Sequence, residues 1–463
     1  MAHESLPVRP ARFWGDESHV VREVFEWAAN RVVLDTDPKT TARTASELAH
    51  AAGRTITPDG IGGTEAMRVF RDVLAPATRA QDDPMNLSYI PAAPTRSAIA
   101  FDMATSAANI FGGLWEAGAG AIFAENEAMA WLISLLDWPE TAAGVFAAGG
   151  TMGNLSALHA ARSAARHRRI EAGLSPKPEG GWAIACASSS HSSISSAADV
   201  LDVDVIWVAE NADGRLDGAG LRAAVGDQAA RVFAVSATAG STNAGTIDDL
   251  ASIADYCGEH GIWMHVDGAY GGAGLCAPSV RPRYDGIERA DSMIVDPHKW
   301  LFAPYDCCAL IYRDVRNARA AHTQVASYLD TIDREAPNPS DLAIHLSRRA
   351  RGLPFWFSLA THGTDAYVAA VEQTIKTARD VAAWIRGSQH LVLLRDPDLT
   401  VLLFEHRGWT PADYASWSRR TALEGDILCL PTKHEGRTML RLAFVNPVTK
   451  AADVMTVLSQ MDP

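Results

Sequence analysis

The chain has 463 residues, 48% hydrophobic and 21% charged, an ordinary globular mix with length enough for one large and one smaller core. Its formal net charge of -14 opposes phosphate backbones and anionic lipid surfaces, and its one basic run, ARHRRI at 165–170, reads as the polar face of a helix, so neither nucleic acid nor membrane is an expected partner. No apolar run reaches the ~18 residues of a membrane span, and the opening MAHESLPVRPARFWGDESHV lacks a basic region followed by an apolar one, which makes the cytoplasm the expected location.

Residues 1–95 are broken by Pro and Gly, as in TITPDGIGGTEAM and DDPMNLSYIPAAPTR, with one helix expected over ESHVVREVFEWAANRVV. Such a segment has little core of its own and is expected to lie across another surface. From 96 to 353, the runs GWAIACA, VDVIWVA, ARVFAVSAT, GIWMHVDG, DSMIVD and CCALIYR read as buried strands, and LSALHAARSAARHRRI and TIDDLASIADYCGEHG as helices between them. This alternation argues for an α/β domain with a mostly parallel central sheet. From 354 to 463 a long helical pattern runs to about Gly387, followed by the strand-like LVLLRD and LTVLLFEH, a helix near PADYASWSRRTALEG, and TMLRLAFV, which together read as a smaller α+β domain. The six cysteines (Cys186, Cys257, Cys276, Cys307, Cys308 and Cys429) show neither CxxC pairing nor metal-ligand spacing, so reduced core thiols are expected, with no disulfide and no metal.

Four stretches at the ends of expected strands carry chemistry. In FAAGGTMGNLSALHAAR, Gly149, Gly150 and Thr151 open a helix, an arrangement that suits a phosphate but equally serves as a plain capping turn. SSSHSSISSAA starts a helix at His191, which either caps that helix or lies on a flat ring. WMHVDGAYGGAG ends an apolar run on Asp267, a carboxylate that needs a cation or amide donors, and the small Gly268 and Ala269 leave room beside it. DSMIVDPHKW places Lys299 just past a buried strand, where an ammonium is costly unless it is paired or reactive. A phosphate turn, a face-stacking imidazole, an acid for a ring nitrogen and an amine for an aldehyde are together the parts of a pyridoxal 5′-phosphate site.

The order GGTMGN, SSSHSS, SATAGST, HVDGAYGG, DPHKW resembles the group II pyridoxal-dependent decarboxylases, the family of aromatic-L-amino-acid and glutamate decarboxylases, from YIPAAPT to MLRLAFVNPVT. The resemblance implies a fold-type I homodimer whose N-terminal segment wraps the partner subunit. It implies that Lys299 holds the cofactor aldehyde, Asp267 faces the pyridine nitrogen, His191 stacks on the ring, Ala269 lies on the opposite face and Thr238 beside the ring, with Gly150, Thr151 and His298 at phosphate-binding positions. By the same resemblance Tyr328, in VASYLDTID, delivers a proton to Cα after carbon dioxide leaves, a step for which a phenol is a reasonable acid.

The motifs do not name the amino acid. Tyr89, Pro91, Phe111 and Trp115 favour an aromatic side chain, because aromatic rings pack well against such walls, while Arg441 in MLRLAFVNP either pairs with an acidic side chain or is structural. The sequence departs from the family's pattern at Gly113, where aromatic-specific relatives carry a bulky pocket residue, at Gly268, where Ala is frequent, and at Asp296, where animal enzymes have Asn. A decarboxylase of an acidic or diamino acid (glutamate, aspartate, cysteine sulfinate, diaminobutyrate), an aldehyde synthase and a fold-type I aminotransferase are the alternatives, and a non-catalytic cofactor-binding protein fits least.

Overall fold

The computed structural model describes residues 18–33, 42–324, 333 and 335–461, and its contacts divide the chain into an N-terminal unit ending at Ala80 and a second unit from Gln81 onward. The N-terminal unit is helical: Ser18–Val33, Ala45–Ala52 and Gly63–Val69, the last running into a wider turn at Phe70–Leu74. Thr44 and Glu47 form a reciprocal capping box at the start of the second helix. The expected helix over ESHVVREVFEWAANRVV is present and buries none of its residues. Val21, Val24 and Phe25, spaced to share one helical face, are all exposed.

The second unit is built on a seven-stranded sheet of β1 (Ala143–Ala147), β2 (Ala183–Ala187), β3 (Asp204–Val208), β4 (Val232–Thr238), β5 (Trp263–Asp267), β6 (Ser292–Val295) and β7 (Cys308–Tyr312), in the order β1-β7-β6-β5-β4-β2-β3. Strands β2 to β6 pair in parallel, and β7 runs antiparallel to both its neighbours, β1 and β6. The expected α/β architecture, fold-type I with a mostly parallel sheet, is therefore present, and each of the six expected strands is one of its members. Strand β1 was not among them. Its Gly144 weakens the strand signal, but a Cβ there would stand 2.5 Å from Leu310 O and 2.6 Å from Met129 Sδ, so the neighbouring strand and helix require the glycine.

A smaller antiparallel sheet follows, of β8 (Leu391–Leu393), β9 (Val401–His406), β10 (Pro431–His434) and β11 (Arg437–Ala443), in the order β10-β11-β9-β8. The long helical pattern that precedes it is two helices, Leu353–His362 and Thr364–Arg386, broken at Gly363, whose φ of +78° no helix accommodates. Within this unit the segment after Gln81 joins the smaller sheet: Leu87 N–H donates to Leu428 O at 3.0 Å, and Ala443 N–H donates to Leu87 O at 2.9 Å. All six cysteines are buried and unpaired. No helix among the described residues is long and apolar enough to cross a membrane.

Candidate active site

In register, Thr238 stands beside Asp267 and Asp267 beside Ile294, so the carboxyl ends of β4, β5 and β6 meet at one edge of the large sheet. A cavity of about 260 Å³ opens there, where open α/β sheets place their ligands. Gly150, Thr151, His191, Thr238, Asp267, Ala269, His298 and Lys299 all line it. The structure thus brings the expected cofactor-binding set together from five separate stretches.

Each side chain is placed by the element that carries it. Strand β6 is buried along its whole length and delivers Asp296, then the single turn Pro297–Trp300. Trp300 locks that turn by donating its indole N–H to Thr374 Oγ1 at 2.8 Å and by stacking on Tyr270. Lys299 Nζ then lies 3.0 Å from Asp296 Oδ2. Burial pulls the Lys299 ammonium down, but the charges of Asp296 and Asp267 outweigh it and hold the amine above its ordinary value. Oδ1 of Asp296 is buried without a hydrogen-bond partner among the described residues.

Asp267 is fixed at the end of β5 by Asn154 Nδ2–H donating to Oδ2 at 2.9 Å and by Ala269 N–H donating to Oδ1 at 3.1 Å. Beside it Thr238 is held by its own N–H, which donates to Asp248 Oδ2 at 2.7 Å. Complete burial raises the Asp248 carboxyl to about 7 against the backbone donors of Thr238 and Leu216. His191 is the N-cap of the helix Ser192–Leu201, its Nδ1 accepting from Ser193 N–H at 3.2 Å, and it lines the cavity.

At the other end, the helix Gly150–Glu171 begins at Gly149 in a left-handed conformation, φ +81°, with no side chain capping its first turn. Its leading N–H groups are therefore open to an anion. A Cβ at Gly150 would stand 3.1 Å from Asp296 Oδ2, so glycine is what lets this helix end approach the β6 turn. His298 is buried next to it, with Nδ1 3.0 Å from Cys307 N and 2.7 Å from Cys307 O. Burial holds its imidazole below the ordinary value despite the nearby Asp296.

This donor set fits pyridoxal 5′-phosphate: uncapped amides for a phosphate, an amine poised against a carboxylate for an aldehyde, and a second carboxylate across the same cavity for a ring nitrogen.

The expected substrate residues are not part of this cavity. Phe111 bridges to Arg349, Trp115 N–H donates to Asn338 Oδ1 at 2.9 Å, Pro91 is buried, and Tyr89 is 64% exposed, in a left-handed conformation at φ 57°. At Gly113 a Cβ would stand 2.1 Å from Leu346 O, so the glycine answers a close backbone approach. Tyr328 lies outside the described residues. Sequence reasoning also missed three buried residues of the site: Asn154 and Ser193, which line the cavity, and His265 behind them. Their signal was available, since His265 is a polar residue inside the apolar run WMHVD and Asn154 closes the quoted GGTMGN.

Comparison with known proteins agrees with the geometry. The pyridoxal-dependent decarboxylase conserved domain matches residues 64–407. The chain is 33% identical over 364 residues to the L-2,4-diaminobutyrate decarboxylase of Rhizobium meliloti (76% of this chain, 71% of that one). It is 27% identical over 399 residues to the aromatic-L-amino-acid decarboxylase of Bacillus atrophaeus (82% and 81%). In fold it is similar to the solved structure of Oryza sativa TDC with PLP and tryptamine, with a TM-score of 0.86 at 23% identity over 99% of this chain and 98% of that one.

Proposed function

Because the chain belongs to the pyridoxal-dependent decarboxylases and so removes carbon dioxide from an amino acid with pyridoxal 5′-phosphate as cofactor, we propose that Lys299 carries the cofactor aldehyde and that Asp267, His191 and Tyr328 are its catalytic partners. The observation that carries this reading is the Lys299 amine, 3.0 Å from Asp296 in a cavity that also holds Asp267. Bound there, the cofactor supplies an aldehyde for the substrate amine and a ring that draws off the electron pair left when carbon dioxide departs.

The chain's own residues do the rest. Asp267, held by Asn154 and Ala269, presents a carboxylate to the ring nitrogen and favours its protonated form. His191 and Ala269 would bound the two faces of the ring, Thr238 would stand beside it, and the amides of Gly150 and Thr151 together with His298 would hold the phosphate. Asp296, 3.0 Å away, would hold a proton on the Lys299 amine once it is free. Tyr328 is the proposed donor of the proton to Cα, which makes the product an amine rather than an aldehyde.

For the substrate, an aromatic L-amino acid is the reading favoured by Tyr89. Its carbonyl accepts from Arg441 Nη1 at 2.6 Å, and Arg441 Nε–H donates to the carbonyl of the cavity residue Thr242 at 2.9 Å, which ties the exposed Tyr89 to the cavity wall. A second reading, an acidic side chain, is favoured by Arg441 itself: its Nη2 is buried without a hydrogen-bond partner among the described residues, and burial lowers the guanidinium to about 10. An unpaired buried donor of this kind suits a carboxylate. Incubation under air with aromatic, acidic and diamino acids, following carbon dioxide, amine and peroxide, decides between them. The expected result is equimolar amine and carbon dioxide from an aromatic substrate, without peroxide. Turnover confined to glutamate, aspartate or cysteine sulfinate would favour the second reading, and peroxide with aldehyde would remove Tyr328 from its role.

We further propose a homodimer working in the cytoplasm, with residues 1–95 as its dimerisation segment beside a cofactor domain (96–353) and a small domain (354–463). The apolar face of the helix Ser18–Val33 and the six unpaired thiols support this.

A further inference from the structure

A line of buried polar side chains runs from β5 and β6 to two residues of the cavity wall, Asn154 and Ser193. Trp263, Ser292, His265, Asn154 and Ser193 are each at most 3% exposed. Trp263 Nε1 lies 2.8 Å from Ser292 Oγ, and Ser292 Oγ lies 2.8 Å from His265 Nδ1. His265 Nε2 is 2.9 Å from Asn154 Oδ1. Asn154 Nδ2 then branches, reaching Asp267 Oδ2 and Ser193 Oγ, both at 2.9 Å, and Ser193 Oγ is 2.8 Å from His191 Nδ1.

The direction of every bond in this line is determined by its ends. A carboxylate only accepts, so Asn154 faces Asp267 with its NH₂, and the reverse orientation would set two acceptors against each other. Its carbonyl oxygen, also acceptor only, therefore requires the hydrogen on His265 Nε2. Burial holds the His265 imidazole below its ordinary value, so the ring is neutral and carries only that one hydrogen. Nδ1 is then bare and takes the Ser292 hydroxyl hydrogen, and the Ser292 oxygen accepts from the indole of Trp263, which can only donate. On the other branch Ser193 Oγ accepts from Asn154 and gives its own hydrogen to His191 Nδ1. The Ser193 backbone N–H, 3.2 Å away, points at the same nitrogen. Nδ1 of His191 is bare too, and Nε2–H is that ring's remaining donor.

We propose that Asn154 is a positioning residue that sets the orientation of Asp267 and the tautomer of His191 together, with His265, Ser292 and Trp263 holding its amide in the one productive orientation. The inference rests on the reading that Asp267 and His191 flank the cofactor ring. It assigns purpose to three polar groups in a sheet core, where an unsatisfied polar group is expensive and an apolar residue is the ordinary choice.

Neutron diffraction from deuterium-exchanged crystals of the holoenzyme reads the hydrogens directly. Deuterium is expected on Nε2 of both His265 and His191, with Nδ1 of each bare; deuterium on Nδ1 of either ring overturns the proposal. A second measurement uses variants. Asn154→Leu, close in size but without hydrogen bonds, should weaken cofactor binding by at least about tenfold, the loss expected for a hydrogen bond to a charged group, and should shift the absorption of the bound cofactor. Ser292→Ala, two side chains away from Asn154, should produce the same spectral shift to a smaller degree, which simple loss of packing at Asn154 does not explain. If Asp267→Asn leaves affinity and absorption unchanged, the reading of Asp267 fails and the relay with it. If Asp267→Asn alters both while Asn154→Leu alters neither, the relay alone is overturned.

Discussion

Lys299 keeps a proton in surroundings that oppose charge, and the cause is its acidic neighbours. Burial acts to lower the amine, and Asp296, 3.0 Å away, is the largest of the charges that reverse the effect. A lysine attacks an aldehyde only as the neutral amine, whose share grows as pH rises through its pKa. Asp296→Asn preserves shape but removes the charge, so the amine falls and the neutral form appears at lower pH. The rate at which cofactor-free protein captures pyridoxal 5′-phosphate, followed by absorbance against pH, should therefore rise at lower pH in the variant than in the wild type. An unchanged profile, or a rise displaced to higher pH, would remove Asp296 from this role.

Among the elements, β6 and the turn after β5 set how closely the cavity floor packs. A Cβ on Gly268 would stand 2.3 Å from Met293 Cε and 2.9 Å from Ile294 O. The departure from the family's frequent Ala thus has a local reason, since the Met293 side chain already fills that space. Gly268→Ala is expected to destabilise the protein by about 1–3 kcal/mol, the usual range for overpacking a core, and Met293→Val in the same chain should recover part of it, the Ile294 carbonyl being unable to give way. Urea denaturation measures both, and a fully stable single variant would contradict the packing argument. Strands β2 to β7 announce themselves as apolar runs, and the cofactor set could be placed because each member ends or follows such a run. Strand β1 was hidden by Gly144 and β10 by the polar sequence PTKH, both shaped by neighbours distant in the chain. The break at Gly363 was hidden because a lone glycine within a helical pattern is compatible with a continuous helix. The hydrogen bonds of Asn154 and His265 join separate elements and have no local pattern at all, and the same holds for the backbone bridge of Phe111 to Arg349 and the bond from Trp115 N–H to the Asn338 side chain.

For the molecule as a whole, the apolar face of the helix Ser18–Val33 needs a cover. Exposed Val21, Val24 and Phe25 on one face are the kind of patch that marks an interface. Sedimentation should give about twice the chain mass of 49.6 kDa, and replacing Val24 and Phe25 by Asp should shift the equilibrium toward monomer; a wild-type protein that sediments as a monomer at micromolar concentration would contradict the proposed dimer. In the proposed reaction one amine among the chain's lysines holds the cofactor. Borohydride reduction of the holoenzyme, followed by proteolysis and mass spectrometry, should find the pyridoxyl group on the peptide containing DPHKW, attached to Lys299, with Lys299→Ala yielding no labelled peptide and no carbon dioxide. A pyridoxyl group on any other lysine, or carbon dioxide release by Lys299→Ala at the wild-type rate, would contradict it.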